Sequence, residues 1–182
     1  PGVQVNLHDA PGSLQVVLTA AQAQPFAGVI GTDDASTELA VLASMHLQLP
    51  HNPLLSVHLA RRKDLARTHL ERAGVPVPRY WKIDLTSPLA AQLTHVIFPC
   101  VVKPVALSAS RGVIRADDRV QLEKAIGRIV SMRAEVPERE ERETLLIEEF
   151  IAGTEVAVEG LLSDGHLEIL AIFDKPDPLD GP

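Results

Sequence analysis

The pattern of apolar and polar positions predicts a short strand and two helices in the first part of the chain and a mixture of strands and helices in the second. The apolar run at 14–18, ahead of these elements, fits either a strand or the start of a helix. Apolar residues recur at helical spacing over 35–47, and residues 54–74 are predicted to form one continuous helix that ends at Gly74. A short apolar run at 26–30 predicts a buried strand before the first of these helices. A strand, an acidic turn and a helix in this order are typical of an α/β layer.

The second part of the chain alternates predicted strands with predicted helices. The strands are predicted at 80–84, 98–103, 144–151, 155–162 and 166–173, the helices at 87–95 and 121–130, and a charged loop at 133–143. Ser163-Asp164-Gly165 separates the last two strands and is a strong hairpin signal. The predicted fold class is therefore α/β.

Composition narrows the function classes. The 182 residues are 46% hydrophobic, enough for a sizeable core, and the net charge of −7 without a long Lys/Arg cluster argues against nucleic-acid binding. No apolar run approaches the roughly 18–20 residues of a membrane span, and Cys100, the single cysteine, fits a reducing compartment as a packed core residue. We therefore expect a cytoplasmic protein. The chain starts at Pro1 without a methionine and stops in a turn-like run, which we interpret as a piece of a longer protein.

The first candidate chemistry lies in residues 98–114. A short β-branched run closes with Lys103, and a small flexible turn from Ser108 to Gly112 follows it. A lysine at the end of a buried strand, facing a Ser/Gly loop, can hold a polyphosphate through its compact charge and the loop N–H groups, with Gly112 allowing close approach or a positive φ. The alternative is that Lys103 only extends toward solvent and the loop is an ordinary hairpin turn.

The second candidate feature is a set of carboxylates. Strand alternation places Glu155 and Glu159 on one face, beside a strand that ends in Glu148 and Glu149. These carboxylates together would form an acidic wall. A half-exposed antiparallel strand alternates in the same way, so this alternative stays open.

A third candidate is Lys63, which lies within the predicted helix 54–74. Arg61, Arg62 and Arg67 surround it. For the arginines we expect a solvated helix face, which is the usual place for such charges.

Four segments in this order and spacing resemble the ATP-grasp superfamily, over residues 52–173. They are Lys63 with the helix end Ala73-Gly-Val-Pro-Val-Pro78, Phe98-Pro-Cys-Val-Val-Lys103-Pro, Ser108-Ala-Ser-Arg-Gly112-Val, and Glu148-Glu-Phe-Ile-Ala-Gly-Thr-Glu155-Val-Ala-Val-Glu159-Gly. The ending Phe173-Asp-Lys175-Pro looks most like the branch with bacterial L-amino-acid ligases. The resemblance implies the end of a Rossmann-like domain at 1–53, a linking helix and connector at 54–80, the ATP-grasp lid subdomain at 81–151 and the truncated start of the C-terminal subdomain at 152–182.

The resemblance also implies phosphate contacts. The ammonium groups of Lys63 and Lys103 would contact the ATP phosphates, and a mobile loop would close over the β- and γ-phosphates. The residues of that loop assigned to nucleotide binding are Ser108, Ser110, Arg111 and Gly112.

Carried over in the same way, a second set of residues would bind the nucleoside. Glu148 would meet the adenine amino group, and backbone groups of Glu149 and Ile151 would bind the adenine edge. Glu155 would bind the ribose hydroxyls, and Glu159 would face the substrate end. Adenine also needs apolar walls, for which the sequence offers Val101, Leu146 and Ile151.

The implied reaction is ATP-driven amide or peptide bond formation between a small carboxylate and an amine, both expected to be amino acids, through an acyl phosphate. The implied cofactors are ATP and Mg²⁺. The magnesium ligands and a substrate-binding arginine of the family fall beyond residue 182, so no metal ligand is assigned here and the chain alone is expected to have little or no activity. The sequence is compatible with a homo-oligomer but does not indicate one.

Three alternatives remain open. One is a carboxylase or carbamoyl-phosphate type of ATP-grasp protein, in which bicarbonate is the phosphorylated acid. A second is a nucleotide-binding module without chemistry. The third is a plain α/β interaction domain in which Lys63, Lys103 and Glu155 are incidental.

Overall fold

The structure, a computed structural model, describes residues 2–132, 136 and 138–175. The chain forms two compact units. The first contains residues up to 77 together with 105–111, and the second contains residues 78–104 and those from 112 onward.

The described residues of the first unit are helical. Its helices are α1 (Ala10–Ala23), α2 (Thr37–His46), α3 (Leu54–Arg61) and α4 (Lys63–Arg72). The prediction of a buried strand at 26–30 is wrong, since these residues have no regular structure and Ile30 is 87% exposed. A strand needs a ladder partner, and the described part of this unit contains no other strand to supply one.

The predicted continuous helix over 54–74 is also wrong, because the chain leaves the helical conformation at Arg62. This residue is extended, with φ −92° and ψ 99°, and its N–H ends α3 by bonding to the His58 carbonyl at 2.9 Å. The next N–H, that of Lys63, is donated to the Val105 carbonyl at 2.9 Å. A new helix therefore starts at Lys63, which begins α4 instead of lying inside a longer helix.

The predicted helix end at Gly74 is confirmed. Gly74 has φ +74°, and its N–H bonds to the Glu71 carbonyl while the N–H of Val75 bonds to that of Leu70. These bonds satisfy the last carbonyls of α4 in the manner of a glycine cap. The connector 75–78 that follows has no regular structure, as expected of its prolines.

A four-stranded antiparallel sheet forms the centre of the second unit. Its strands are β1 (Tyr80–Asp84), β2 (Cys100–Pro104), β3 (Ile114–Ala116) and β4 (Thr144–Glu149), in the order β1-β4-β2-β3. The strands predicted at 80–84, 98–103 and 144–151 are confirmed, with ends that shift by up to two residues.

Three helices accompany the sheet: α5 (Leu89–Gln92), α6 (Arg119–Met132) and α7 (Arg139–Glu143). The helix predicted at 121–130 is confirmed as α6, and the one predicted at 87–95 shortens to the single turn α5. The loop predicted at 133–143 is partly wrong because α7 occupies its end, where Arg139 Nε bonds Glu143 Oε1 at 2.9 Å across one turn. The rest of that prediction, at 133–135 and 137, lies outside the described residues.

The core of the second unit lies between α6 and one face of the sheet. The buried side chains of α6 recur every three or four residues, as one stripe of a helix requires: Leu122, Ala125, Ile126 and Ile129. They join Val102 and Ile147 of the sheet in one apolar cluster, with Trp81 packed at its edge.

Cys100 belongs to this cluster and is fully buried, as predicted for a packed core residue. Burial, with a smaller contribution from the negative charge of Asp117, raises the pKa of its thiol to about 11. The thiol therefore stays protonated at neutral pH and is a poor nucleophile.

The predicted hairpin is confirmed as β5 (Val156–Ser163) and β6 (His166–Asp174). Its turn residues Asp164 and Gly165 both have positive φ, at 50° and 79°, which fits a two-residue hairpin turn. The side chains of the hairpin are exposed almost throughout. Among the described residues, no helix is both long enough and apolar enough to cross a membrane.

Candidate functional site

One face of the four-stranded sheet brings several predicted site residues together. Alternation on β2 buries Cys100 on the α6 side and directs Val101 and Lys103 to the opposite face. The strand register pairs Val101 with Glu148 and Lys103 with Leu146, and directly paired residues share a face. The predicted lysine, the predicted carboxylate and two of the predicted apolar wall residues therefore lie on one surface.

Lys103 and Glu148 form an ion pair between β2 and β4. The Lys103 ammonium contacts Glu148 Oε2, and the two side chains are only 14% and 7% exposed. Each charge offsets part of the desolvation cost of the other, without which such buried ions would be strongly unfavourable. The arrangement can offer a point charge to a phosphate and an acceptor to an amino group.

Glu149, the last residue of β4, binds Arg79 through its side chain. Glu149 Oε2 accepts from Arg79 Nε at 2.7 Å, and Oε1 accepts from the Arg79 backbone N–H at 3.1 Å. The bond to the guanidinium, then the bond to the backbone and the positive charge, lower the pKa of the Glu149 carboxyl from its ordinary value. The Glu149 N–H is donated to the Arg79 carbonyl at 2.9 Å, so of its predicted adenine-binding backbone groups only the carbonyl remains for a ligand.

The chain leaves the sheet just after this point. The Phe150 N–H bonds to the Pro99 carbonyl at 3.0 Å, and the guanidinium of Arg115 lies over the Phe150 ring, 4.2 Å from its centroid. Ile151 follows and is 67% exposed. Ile151, which was predicted to be one of three apolar walls of the adenine site, is thus an exposed apolar side chain just beyond the end of the sheet.

In the first unit, Lys63 holds the segment 105–111, which contains most of the predicted phosphate loop. Its N–H bonds to the Val105 carbonyl at 2.9 Å, and its ammonium bonds to the Leu107 carbonyl at 2.6 Å. Lys63 therefore fixes the base of the loop through both its backbone and its side chain.

The loop itself has an uncommon backbone conformation. Ala109 and Ser110 have φ of 55° and 56°, a left-handed conformation that is rare for residues other than glycine. The Arg111 N–H closes the turn onto the Ser108 carbonyl at 3.2 Å, and the side chains from Ser108 to Arg111 are exposed. The loop can therefore present backbone N–H groups, hydroxyls and a guanidinium to a ligand.

Gly112 meets both of the predicted requirements for a glycine. It has φ +72°, and a Cβ at this position would lie 3.0 Å from Cγ of Pro104. A larger residue would be strained and would displace the end of β2. The prediction of a glycine-dependent turn is confirmed.

A buried ion pair that the sequence pattern did not predict flanks Lys63. Arg62, predicted on a solvated helix face, is 8% exposed, and Asp64 is 2% exposed. Arg62 Nε and Nη2 bond Asp64 Oδ1 and Oδ2 at 2.9 and 3.0 Å, a bidentate geometry. The order Arg62-Lys63-Asp64 was the one sequence feature that could have indicated this ion pair. Helical periodicity does not indicate where a helix is interrupted.

Glu155 and Glu159 lie in a different part of the second unit. Glu155 precedes β5 and pairs with the Lys175 ammonium, and Glu159 is an exposed residue of β5. The hairpin forms a two-stranded sheet separate from the four-stranded sheet of Lys103 and Glu148. Their ribose and substrate roles stay predictions.

The described residues contain no preformed cluster of metal-ligating side chains. Within residues 2–132, 136 and 138–175, no group of three or more His, Cys, Asp and Glu side chains could hold a metal ion.

Comparison with protein families identifies the segment that carries the sheet site. Residues 96–180 match the family model of the ATP-grasp domain. The chain contains part of an ATP-grasp domain. The matched ATP-grasp segment begins just before β2 and includes Lys103, Glu148 and Glu149.

Two curated proteins that are similar to this chain are ligases. It is 36% identical over 128 residues to the D-alanine–D-alanine ligase of Afipia carboxidovorans, a match that covers 68% of this chain and 38% of that protein. It is 33% identical over 122 residues to the phosphoribosylamine–glycine ligase of Allochromatium vinosum, covering 64% of this chain and 26% of that protein. The chain thus spans well under half the length of these relatives.

Solved structures give the same picture of the fold. The L-amino acid ligase of Bacillus licheniformis matches 97% of this chain and 40% of its own, with a TM-score of 0.76 and 26% identity. An ADP complex of N5-carboxyaminoimidazole ribonucleotide synthetase also matches 97% of this chain and 43% of its own, with a TM-score of 0.70 and 13% identity. The second likeness concerns the ATP-grasp fold alone.

Proposed function

We propose that this chain is the ATP-binding part of an ADP-forming ligase that joins a carboxylate to an amine, with amino acids as substrates. The observation that carries the proposal is the Lys103–Glu148 pair beside Val101 and Leu146 on one sheet face. This surface supplies the positive charge, the acceptor and the apolar wall that a purine nucleotide needs. The match to the ATP-grasp domain supports ATP as that nucleotide.

In this proposal Lys103 contacts the phosphates and Glu148 accepts a hydrogen bond from the adenine amino group. Their mutual contact holds both side chains in place before the nucleotide binds. Less conformational entropy is then lost on binding, which raises the affinity.

The proposal extends to the loop held by Lys63. The phosphate contacts assigned to it are Lys63, Ser108, Ser110, Arg111 and Gly112. Successive left-handed residues can direct neighbouring N–H groups toward an anion, which supports this assignment. Glu155 is assigned to the ribose and Glu159 to the substrate end.

The chemistry follows from positioning and charge. A substrate carboxylate oxygen forms a bond to the γ-phosphorus as the bond to the β-phosphate oxygen breaks, giving an acyl phosphate and ADP. The amine nitrogen then attacks the acyl carbon, phosphate leaves, and the nitrogen loses a proton to give the amide. Fixed cations such as Lys103 stabilise the negative charge that shifts toward ADP in the first step.

Amino acids are the proposed substrates because two of the matched proteins are named as a D-alanine–D-alanine ligase and an L-amino acid ligase. Since the chain spans only part of their length, we expect the 182 residues alone to bind ATP with little or no turnover. Phosphate release by this chain with Mg²⁺, ATP and an amino-acid panel would contradict that expectation.

The proposal is tested by calorimetric titration of ATP into the wild-type chain and the Lys103→Ala variant. Loss of a charge-assisted phosphate contact should cost about 1.5–3 kcal/mol, a roughly ten- to hundredfold weaker affinity. Lys124→Ala, which removes an exposed lysine of α6, is the matched control and should bind like the wild type.

The double variant Lys103→Met with Glu148→Gln removes both charges together, so it keeps the sheet intact if the single variant unfolds. It should also bind ATP more weakly than the wild type. Equal ATP affinity in these variants and the wild type contradicts the site assignment, and the absence of ATP binding by the wild type contradicts the proposed function.

A further inference from the structure

The end of β4 departs from a regular antiparallel ladder. The register of Tyr80 with Glu148 places Arg79 opposite Glu149, and the Glu149 N–H bonds to the Arg79 carbonyl at 2.9 Å. A regular hydrogen-bonded pair exchanges both bonds, so the Arg79 N–H would be donated back to the Glu149 carbonyl. It is donated to Glu149 Oε1 instead, at 3.1 Å. Within the described part of the chain, the Arg79 amide is therefore not the partner of that carbonyl.

The carboxylate is held at this amide by a second bond to the same residue. Glu149 Oε2 accepts from Arg79 Nε at 2.7 Å. The side chains of Arg79 and Glu149 are 64% and 28% exposed, and such surface pairs contribute little to folding. A gain in folding stability therefore does not explain why the Glu149 carboxylate, and not the Glu149 carbonyl, accepts the Arg79 N–H.

We propose that Glu149 is a positioning residue, whose carboxylate binds the Arg79 N–H and so leaves the Glu149 carbonyl free to accept a hydrogen bond from the adenine 6-amino group. This inference rests on the proposed ATP site. In this inference the Ile151 N–H, two residues further along, is donated to the acceptor at adenine N1, in line with the role that the resemblance implies for Ile151. The Glu149 carbonyl, an acceptor, and the Ile151 N–H, a donor, are complementary to the 6-amino group and N1 of adenine. In a 6-oxo purine the O6 acceptor would instead face the Glu149 carbonyl, and two acceptors would meet.

The side chain and the carbonyl of Glu149 compete for one donor. Without the carboxylate, the Arg79 N–H returns to the carbonyl and completes the ladder pair. The adenine amino group then has to displace an existing hydrogen bond. Affinity for a nucleotide without a 6-amino group is not affected by this competition.

The experiment measures dissociation constants for ATP and for purine riboside triphosphate, which carries hydrogen in place of the 6-amino group. The wild type should prefer ATP by more than about tenfold, because the Glu149 carbonyl and the Glu148 carboxylate both accept from the 6-amino group. Glu149→Ala should reduce this preference by about threefold to tenfold, the value of one neutral hydrogen bond, and should leave the part that Glu148 contributes. Glu149→Gln should keep the full preference, because an amide oxygen still accepts the Arg79 N–H, and Arg79→Ala should keep it because the backbone N–H remains.

Glu123→Ala is the matched control, since Glu123 accepts from Arg119 Nε at the same 2.7 Å on α6. Its preference should equal that of the wild type. An unchanged preference in Glu149→Ala overturns the inference, and so does an equal loss of affinity for both nucleotides, which is the result of a purely structural role. Both outcomes leave the proposed function standing. Failure of the wild type to bind ATP overturns the proposed function and this inference with it.

Discussion

The four-stranded sheet and the β5–β6 hairpin are both antiparallel and rich in apolar residues, yet only the sheet is buried. Val102 and Ile147 of the sheet are 0% exposed, whereas Leu162 and Ile172 of the hairpin are 72% and 62% exposed. Burial specifies register strongly, because a slip of one residue moves every apolar side chain to the other face. In the hairpin, backbone bonds and the turn hold the register. The sheet is thus the region where side chains are fixed firmly enough to define a site.

The two regions also contain ion pairs of different character. Lys103 and Glu148 are 14% and 7% exposed in the sheet, while Lys175 and Glu155 beside the hairpin are 40% and 57% exposed. Breaking a buried pair by removing one partner is expected to cost about 3–5 kcal/mol, whereas an exposed pair is worth about 0–1 kcal/mol. Lys103→Ala should therefore destabilise the second unit strongly, and Lys175→Ala should not.

Urea unfolding followed by the fluorescence of Trp81 measures this difference, since the single tryptophan packs against the sheet core. Adding Glu148→Gln to Lys103→Ala should recover part of the loss, because it removes the carboxylate that Lys103 neutralises. Similar unfolding free energies for the Lys103→Ala and Lys175→Ala variants would refute the contrast between the two regions.

A smaller effect is expected from one matched pair of leucines. Leu122 of α6 is 0% exposed and Leu162 of β5 is 72% exposed. Leu122→Ala should lower the free energy of unfolding by about 3 kcal/mol through lost burial and a cavity, and Leu162→Ala by less than about 0.5 kcal/mol. The same fluorescence assay measures both variants, and a comparable loss in the two would show that the hairpin is covered in solution.

The sequence predicted the strands of the second unit well because each strand is indicated by residues within or next to it. Short runs of apolar, aromatic and β-branched residues predicted β1, β2 and β4, and Ser163-Asp164-Gly165 predicted the hairpin. The larger errors, at 26–30 and 54–74, lie in the first unit, and smaller ones at 87–95 and 133–143 lie in the second. The break at Arg62 is accompanied by a bond from Lys63 to Val105, and no helical periodicity encodes that bond.

The candidate site was predictable to the same extent. The order of the motifs assigned Lys103 and Glu148 to one nucleotide site through the family resemblance, and the strand register brings them into contact. The bonds between Glu149 and Arg79 were not predictable, because they join residues 70 positions apart and depend on where β1 begins. The positions of Glu155 and Glu159 relative to a nucleotide stay predictions.

The smallest expected effect is a pH dependence at the end of β4. Because the pKa of the Glu149 carboxyl is lowered in the folded chain, its contribution to stability is present above the ordinary value of 4.5 and is lost as the pH falls through the folded value. The urea midpoint should therefore fall between about pH 5 and pH 3, and it should fall less in Glu149→Gln. Glu123→Gln is the control, and an identical pH profile for the wild type and Glu149→Gln would count against the Arg79 contact.

The central claim is that the sheet face, with Lys103 at the phosphates and Glu148 at the base, binds ATP, and that the apolar strands of the hairpin do not. Backbone amide chemical shifts recorded during an ATP titration test it most directly. We predict the largest changes at residues 101–103 and 146–151, with small changes at 167–172. Changes confined to the hairpin, with none on the sheet, would contradict the account.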